Sequence, residues 1–142
     1  MIFRLMFLVV LALQITSCRE QSGTSPLIRQ VRLCNELVDG ACTDEKPSFS
    51  ATTNTFYVSC ILEKANEEAE VSFLWFFYEN GKKQLLEKVV LKPWELSDKK
   101  TSDYVLVANL NRSGGRWPEG KYEVEVVLGG LYPFSVIKSF NI

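Results

Sequence analysis

The stretch at 71–78, VSFLWFFY, constrains this chain more than any other. It is a run of β-branched and aromatic residues, apolar on both faces, bounded by a charged stretch at 63–70 and by the pair Asn80-Gly81. Such a run reads as a strand, and at least one of its faces must meet a second layer. Asn-Gly between apolar segments is a strong hairpin signal because both residues tolerate positive φ. It predicts a return strand at 84–91, ending before Pro93.

The rest of the chain repeats this strand-and-turn pattern. At 55–62, Phe56, Val58, Cys60 and Leu62 alternate with Tyr57, Ser59 and Ile61. At 103–110, Tyr104, Leu106, Ala108 and Leu110 alternate with Val105, Val107 and Asn109. At 121–128, Tyr122, Val124 and Val126 are expected to point inward, with Lys121, Glu123 and Glu125 on a solvated face. A first strand is expected at 27–34. A last one spans 131–142, broken near Pro133, whose missing N–H suits an edge or bulge. The stretches 42–53, 94–102 and 111–120 are rich in turn residues and read as connections, and 63–70 is a charged loop or a single helical turn. Seven short strands without a long helix predict an all-β fold, a two-layer antiparallel β-sandwich of about seven strands, with a small barrel as the alternative. Trp75, in the middle of the most apolar strand, takes the central core position.

The amino terminus obeys different rules. Arg4 precedes nine apolar residues, 5–13, too few to cross a bilayer as a stable helix, and a polar stretch follows at once. Residues 1–17 therefore read as a secretion signal, 18–26 as a short tether, and 27–142 as the sandwich domain. The ending Ile15-Thr16-Ser17-Cys18 resembles the lipobox of bacterial lipoproteins. That resemblance implies cleavage after Ser17, acylation of Cys18 and a lipid-anchored place in the bacterial cell envelope. Two or three acyl chains suffice for stable membrane attachment. Arg19, in place of an Asp, resembles sorting to the outer membrane where the organism has two membranes.

Removal of residues 1–17 leaves 125 residues with 15 basic and 17 acidic side chains. The basic residues form no stripe, and the pairs Lys82-Lys83 and Lys99-Lys100 read as solvated positions, so nucleic acid is not an expected partner. The chain has four Cys and no His. With Cys18 acylated, Cys34, Cys42 and Cys60 remain in an oxidising compartment, where one disulfide and one leftover thiol are expected. Cys34–Cys42 is favoured because 35–41 contains Asp39-Gly40 and returns the chain locally; the alternative, Cys34–Cys60, would join two strands. Under the first pairing Cys60 stays free, in phase with the apolar face of its strand.

The sequence Trp117-Pro118-Glu119-Gly120-Lys121-Tyr122, followed by alternating Val124 and Val126 and a terminal strand ending Phe140-Asn141-Ile142, resembles the C-terminal half of immunoglobulin-like or fibronectin-type-III-like domains of exported bacterial proteins. The resemblance implies that Trp117 and Pro118 cap the core, that Gly120 makes a tight entry, and that Tyr122 is the corner residue. No Cys lies in the strand at 121–128, so the inter-sheet bond of antibody domains is not expected.

Chemistry is thinly represented. Without an imidazole there is no His general base and no His-ligated metal. Asp98 with Asp103, or Glu123 with Glu125, are the only carboxylate pairs to consider for acid–base work, and their positions in a turn and on a solvated strand face argue against it. Asp39, Asp44 and Glu45 lack the spacing of a calcium loop. No cofactor and no enzyme activity are expected. Two binding readings remain. One is a protein-interaction or structural module that pairs with another envelope protein, including through the Pro133-broken last strand. The other is a glycan-binding platform built from Trp94, Trp117 and Tyr132, with Phe49 nearby.

Overall fold

The structure, a computed structural model, describes residues 25–96, 101–112, 114–130 and 133–142. The anticipated cleavage site, Cys18, most of the tether and Tyr132 lie outside the described residues. Seven strands follow in order: β1 (Leu27–Cys34), β2 (Thr55–Glu63), β3 (Glu70–Glu79), β4 (Lys82–Leu91), β5 (Tyr104–Asn111), β6 (Lys121–Gly129) and β7 (Phe134–Asn141). A single-turn helix, α1 (Pro93–Leu96), lies between β4 and β5. It occupies the expected connection, where Pro93 suits a first helical turn because its absent N–H would have no partner there.

All pairings are antiparallel, and they build a three-stranded sheet β1-β2-β5 and a four-stranded sheet β4-β3-β6-β7. This is a two-layer immunoglobulin-like β-sandwich, with the fourth strand on the β3 edge rather than on the β5 edge. The inner faces meet through Phe56, Val58, Cys60 and Leu62 from β2, Val71, Phe73 and Trp75 from β3, and Tyr122, Val124 and Val126 from β6, each at most 1 % exposed. The period-two alternation read in the sequence therefore separates core from surface in these strands. Phe140 of β7 closes the same core, with its ring 5.2 Å from Tyr122 and 5.1 Å from Phe56.

Turn chemistry sets the registers. Asn80 and Gly81 have φ of 51° and 76°, which gives the β3–β4 hairpin a turn whose twist matches its strands. Asp39 and Gly40 do the same at the tip of a smaller loop, where Val38 and Ala41 exchange backbone hydrogen bonds of 2.9 and 3.2 Å. At the β5–β6 crossing, Gly120 has φ of 144°, and a Cβ there would come within 3.2 Å of the Phe77 ring. Its N–H and C=O are both bonded to Ile142, at 2.9 and 3.0 Å. Two residues on, the Tyr122 hydroxyl donates to the Pro118 carbonyl at 2.6 Å. This is the tyrosine corner implied by the resemblance, and burial raises the pKa of its phenol.

Cys34 and Cys42 form a disulfide across eight residues of sequence, and Cys60 is free and buried. The loop is also pinned by the Cys42 N–H, which donates to the buried Ser59 hydroxyl at 2.9 Å. Burial pushes the Cys60 thiol up to about 12, so it stays protonated and inert at neutral pH. Replacing Cys34 and Cys42 together by Ser is expected to cost about 2–3 kcal/mol, the loop-closure entropy returned to the unfolded chain. Urea denaturation followed by circular dichroism reads that loss as a lower midpoint; an unchanged midpoint would show that the loop adds no constraint.

Candidate interaction surface

Alternation along β3 sends Ser72, Leu74, Phe76 and Tyr78 to the side away from the core. Strand pairing extends them into cross-sheet rows. Phe76 lies between Leu85 of β4 and Glu123 of β6, with Ser139 of β7 beyond. Leu74 lies between Lys88 and Glu125, with Ile137 beyond, and Ser72 lies between Val90 and Val127. The register of β4 shifts between the partners of Trp75 and Phe76, which leaves Leu86 as an extra residue. This bulge displays two adjacent leucines: Leu85 is 54 % exposed and Leu86 43 %, while Val90 at 44 % and Ile137 at 50 % flank them on the two edge strands.

Glu123 sits at the centre of this face and is only 6 % exposed. Lys83 Nζ lies 3.1 Å from one of its carboxylate oxygens and Lys121 Nζ 3.4 Å from the other. Both ammonium groups also lie over aromatic rings, Lys83 at 4.1 Å from the Phe76 centroid and Lys121 at 4.7 Å from that of Tyr78. The lysine stems thus cover apolar surface while their heads neutralise the carboxylate. Burial alone would raise the Glu123 pKa, but hydrogen bonds from Lys83, Tyr78 and Lys121 outweigh it and hold the group below the usual carboxylate range. The same contact raises the pKa of Lys83. The sequence reading placed Glu123 on a solvated face; it does point away from the core, but the two lysines remove it from water.

Of the aromatics anticipated as a glycan platform, Trp117 and Phe49 are engaged in the core. Trp117 is 7 % exposed, its indole N–H donates to the Thr53 carbonyl at 2.6 Å, and its ring packs on Phe56 at 4.9 Å. It caps the core, as the crossover motif implies, and offers no free face to a sugar. Phe49 is likewise turned inward, 4.9 Å from Phe56 and 5.4 Å from Phe140. Trp94 is half-buried in α1, away from Trp117 in sequence and element, and Tyr132 is outside the described residues. Of the carboxylates considered, Asp103 accepts a hydrogen bond from the Lys64 N–H at 3.3 Å and Asp98 lies outside the described residues. Glu123 and Glu125 share the outer face of β6, but Glu123 is tied up by its two lysines.

The signal for the outer face was present in the sequence. Residues 71–78 are apolar on both sides, and a two-layer sandwich buries only one of them. Fold and surface together define an immunoglobulin-like sandwich whose larger sheet carries exposed apolar residues on its outer face around a Lys83–Glu123–Lys121 cluster. Neither a protein-family model nor a curated protein matches the chain.

Proposed function

We propose that the chain is an exported, lipid-anchored protein of the bacterial envelope whose sandwich is a non-catalytic interaction module, docking another envelope protein on the outer face of the four-stranded sheet. The observation that carries this reading is the apolar set Leu85, Leu86, Val90 and Ile137 arranged around Phe76 and the Lys83–Glu123–Lys121 cluster. Exposed apolar surface bordered by paired charge is characteristic of protein docking sites. The disulfide supports export, since such bonds persist in oxidising compartments. Acylated Cys18 would hold the module by a tether that spans at most about 30 Å to the start of β1. The start of β1 shares one end of the sandwich with α1, and the Cys34–Cys42 loop with the tyrosine corner lies at the other, so the anchored protein would present the outer sheet face sideways along the membrane.

A photo-crosslinking residue placed at Ile137 is expected to capture a discrete neighbour in intact cells, and one placed at the exposed Glu119 is expected not to. Equal capture at both positions, or none at Ile137, would remove the outer face as the docking site.

A further inference from the structure

A sandwich of two open sheets has four edge strands, and here they are β1 and β5 of one sheet and β4 and β7 of the other. An unprotected edge is a template for another strand, and folded proteins blunt theirs with bulges, charges, prolines or covering segments. Three of the four are blunted. In β1 the register breaks between Arg29 and Arg32, where Gln30 has φ of 52°. In β4 the Leu85–Leu86 bulge interrupts a strand that also carries Lys82, Lys83 and Lys88. In β7, Pro133 precedes the strand, Asn141 is bonded through both backbone groups to Pro47 and Phe49 at 3.0 and 2.9 Å, and Lys138 pairs with Glu45 at 2.8 Å.

Only β5 has none of these devices. Its eight residues, YVLVANLN, contain no charge, proline or glycine, and they pair with β2 without a break in register. The direction of its unused hydrogen-bonding groups follows from the end of the ladder. Arg112 N–H donates to Asn54 C=O, so alternation turns the backbone groups of Leu106, Ala108 and Leu110 toward β2 and those of Val105, Val107 and Asn109 toward the open side. Among the described residues no backbone group occupies that side. Val105, on the outer face of the sheet beside this edge, is 59 % exposed.

We propose that this edge is a homotypic docking site, at which β5 pairs antiparallel with β5 of a second copy of the chain to make one continuous six-stranded sheet. A twofold axis normal to the sheet keeps both inner faces on the same side, and the phase of the free groups centres it on Val107, with Val105 opposite Asn109 of the other copy. Charge favours a second copy as the occupant. The strand is uncharged, so self-pairing brings no like charges together, and it is flanked by Asp103 at one end and Arg112 at the other. The antiparallel arrangement places Asp103 opposite Asn111 of the other copy, beside its Arg112. This site is on the smaller sheet and does not rest on the outer-face reading; a dimer formed this way leaves both four-stranded outer faces free.

The test uses the full chain in detergent and in its own membranes, with Val107→Cys or, as the reference, Glu119→Cys added under mild oxidation. Across the axis the two Val107 Cα atoms would lie about 5.5 Å apart, within disulfide reach. A covalent dimer is expected to form at Val107, although half-buried, at least roughly tenfold faster than at the more exposed Glu119, through the raised effective concentration. Val107→Lys, which sets two ammonium groups together on the surface side of the sheet, is expected to leave the protein monomeric by sedimentation with an unchanged circular dichroism spectrum. Crosslinking at Val107 no faster than at Glu119 would overturn the proposal. So would capture at Val107, in membranes, of a chain of different mass.

Discussion

Replacing Trp75 with Ala is expected to lower the stability of the fold by about 3–5 kcal/mol, the range for removing a fully buried large aromatic. Trp75 is 0 % exposed in the middle of β3, with β4 and β6 on either side, and Phe140 meets its ring edge-on at 6.4 Å. Its loss leaves a cavity between sheets that the backbone cannot close, because β3 is held along both edges. Domains of this size are stable by about 5–15 kcal/mol, so the loss takes from about a fifth to all of that margin. The indole N–H of Trp75 has no hydrogen-bond partner among the described residues. Trp75→Phe should therefore cost much less, since it removes an unsatisfied buried donor along with part of the ring. Urea midpoints from circular dichroism read both changes. Equal losses for Ala and Phe would mean that the indole ring system itself, not filled volume, holds the two sheets together.

Most of the fold was legible because it rests on local signals. Alternation in β2, β5 and β6 assigned the inward residues, since a strand has only two sides. Asn80-Gly81 fixed the hairpin through backbone conformations that few other residues adopt. The corner at Tyr122 was implied by the resemblance of the Trp117-to-Tyr122 stretch, and its hydroxyl closes that corner locally, on Pro118. The turn at Asp39-Gly40 favoured Cys34–Cys42 over Cys34–Cys60, and the structure forms the first pair. What the sequence left open depends on contacts between strands distant in the chain. Glu123 lies opposite Phe76 only because β6 pairs with β3 in a particular register, and Lys83 reaches it from β4, crossing β3 over the Phe76 ring. No pattern within 121–128 distinguishes that carboxylate from the more exposed Glu125. Likewise, which edges are open depends on sheet order, so the last strand, with its Pro133, was the natural edge to consider. Sheet order shows its end engaged by Pro47 and Phe49, and leaves β5 as the bare one. Trp117 was open to two readings: as an isolated Trp in a Gly- and Pro-rich connection it suited a binding platform, and the crossover motif implied a core cap; its contacts with Thr53 and Phe56 decide for the cap.

On the proposed anchoring, the larger change in behaviour is expected from Cys18→Ser, because acylation at that position would be all or none. An amino-terminal secretion signal without an acceptor sulfur cannot be processed to a lipid-bearing protein, and two or three acyl chains separate stable membrane retention from rapid release. Metabolic labelling with a tagged fatty acid, followed by membrane fractionation, measures this directly. The wild-type chain is expected to carry the label, to have lost the mass of residues 1–17, and to sediment with membranes. Cys18→Ser is expected to carry none and to leave the mature membrane-bound pool. A wild-type protein without label, at the mass of the uncut chain, would contradict the anchored module.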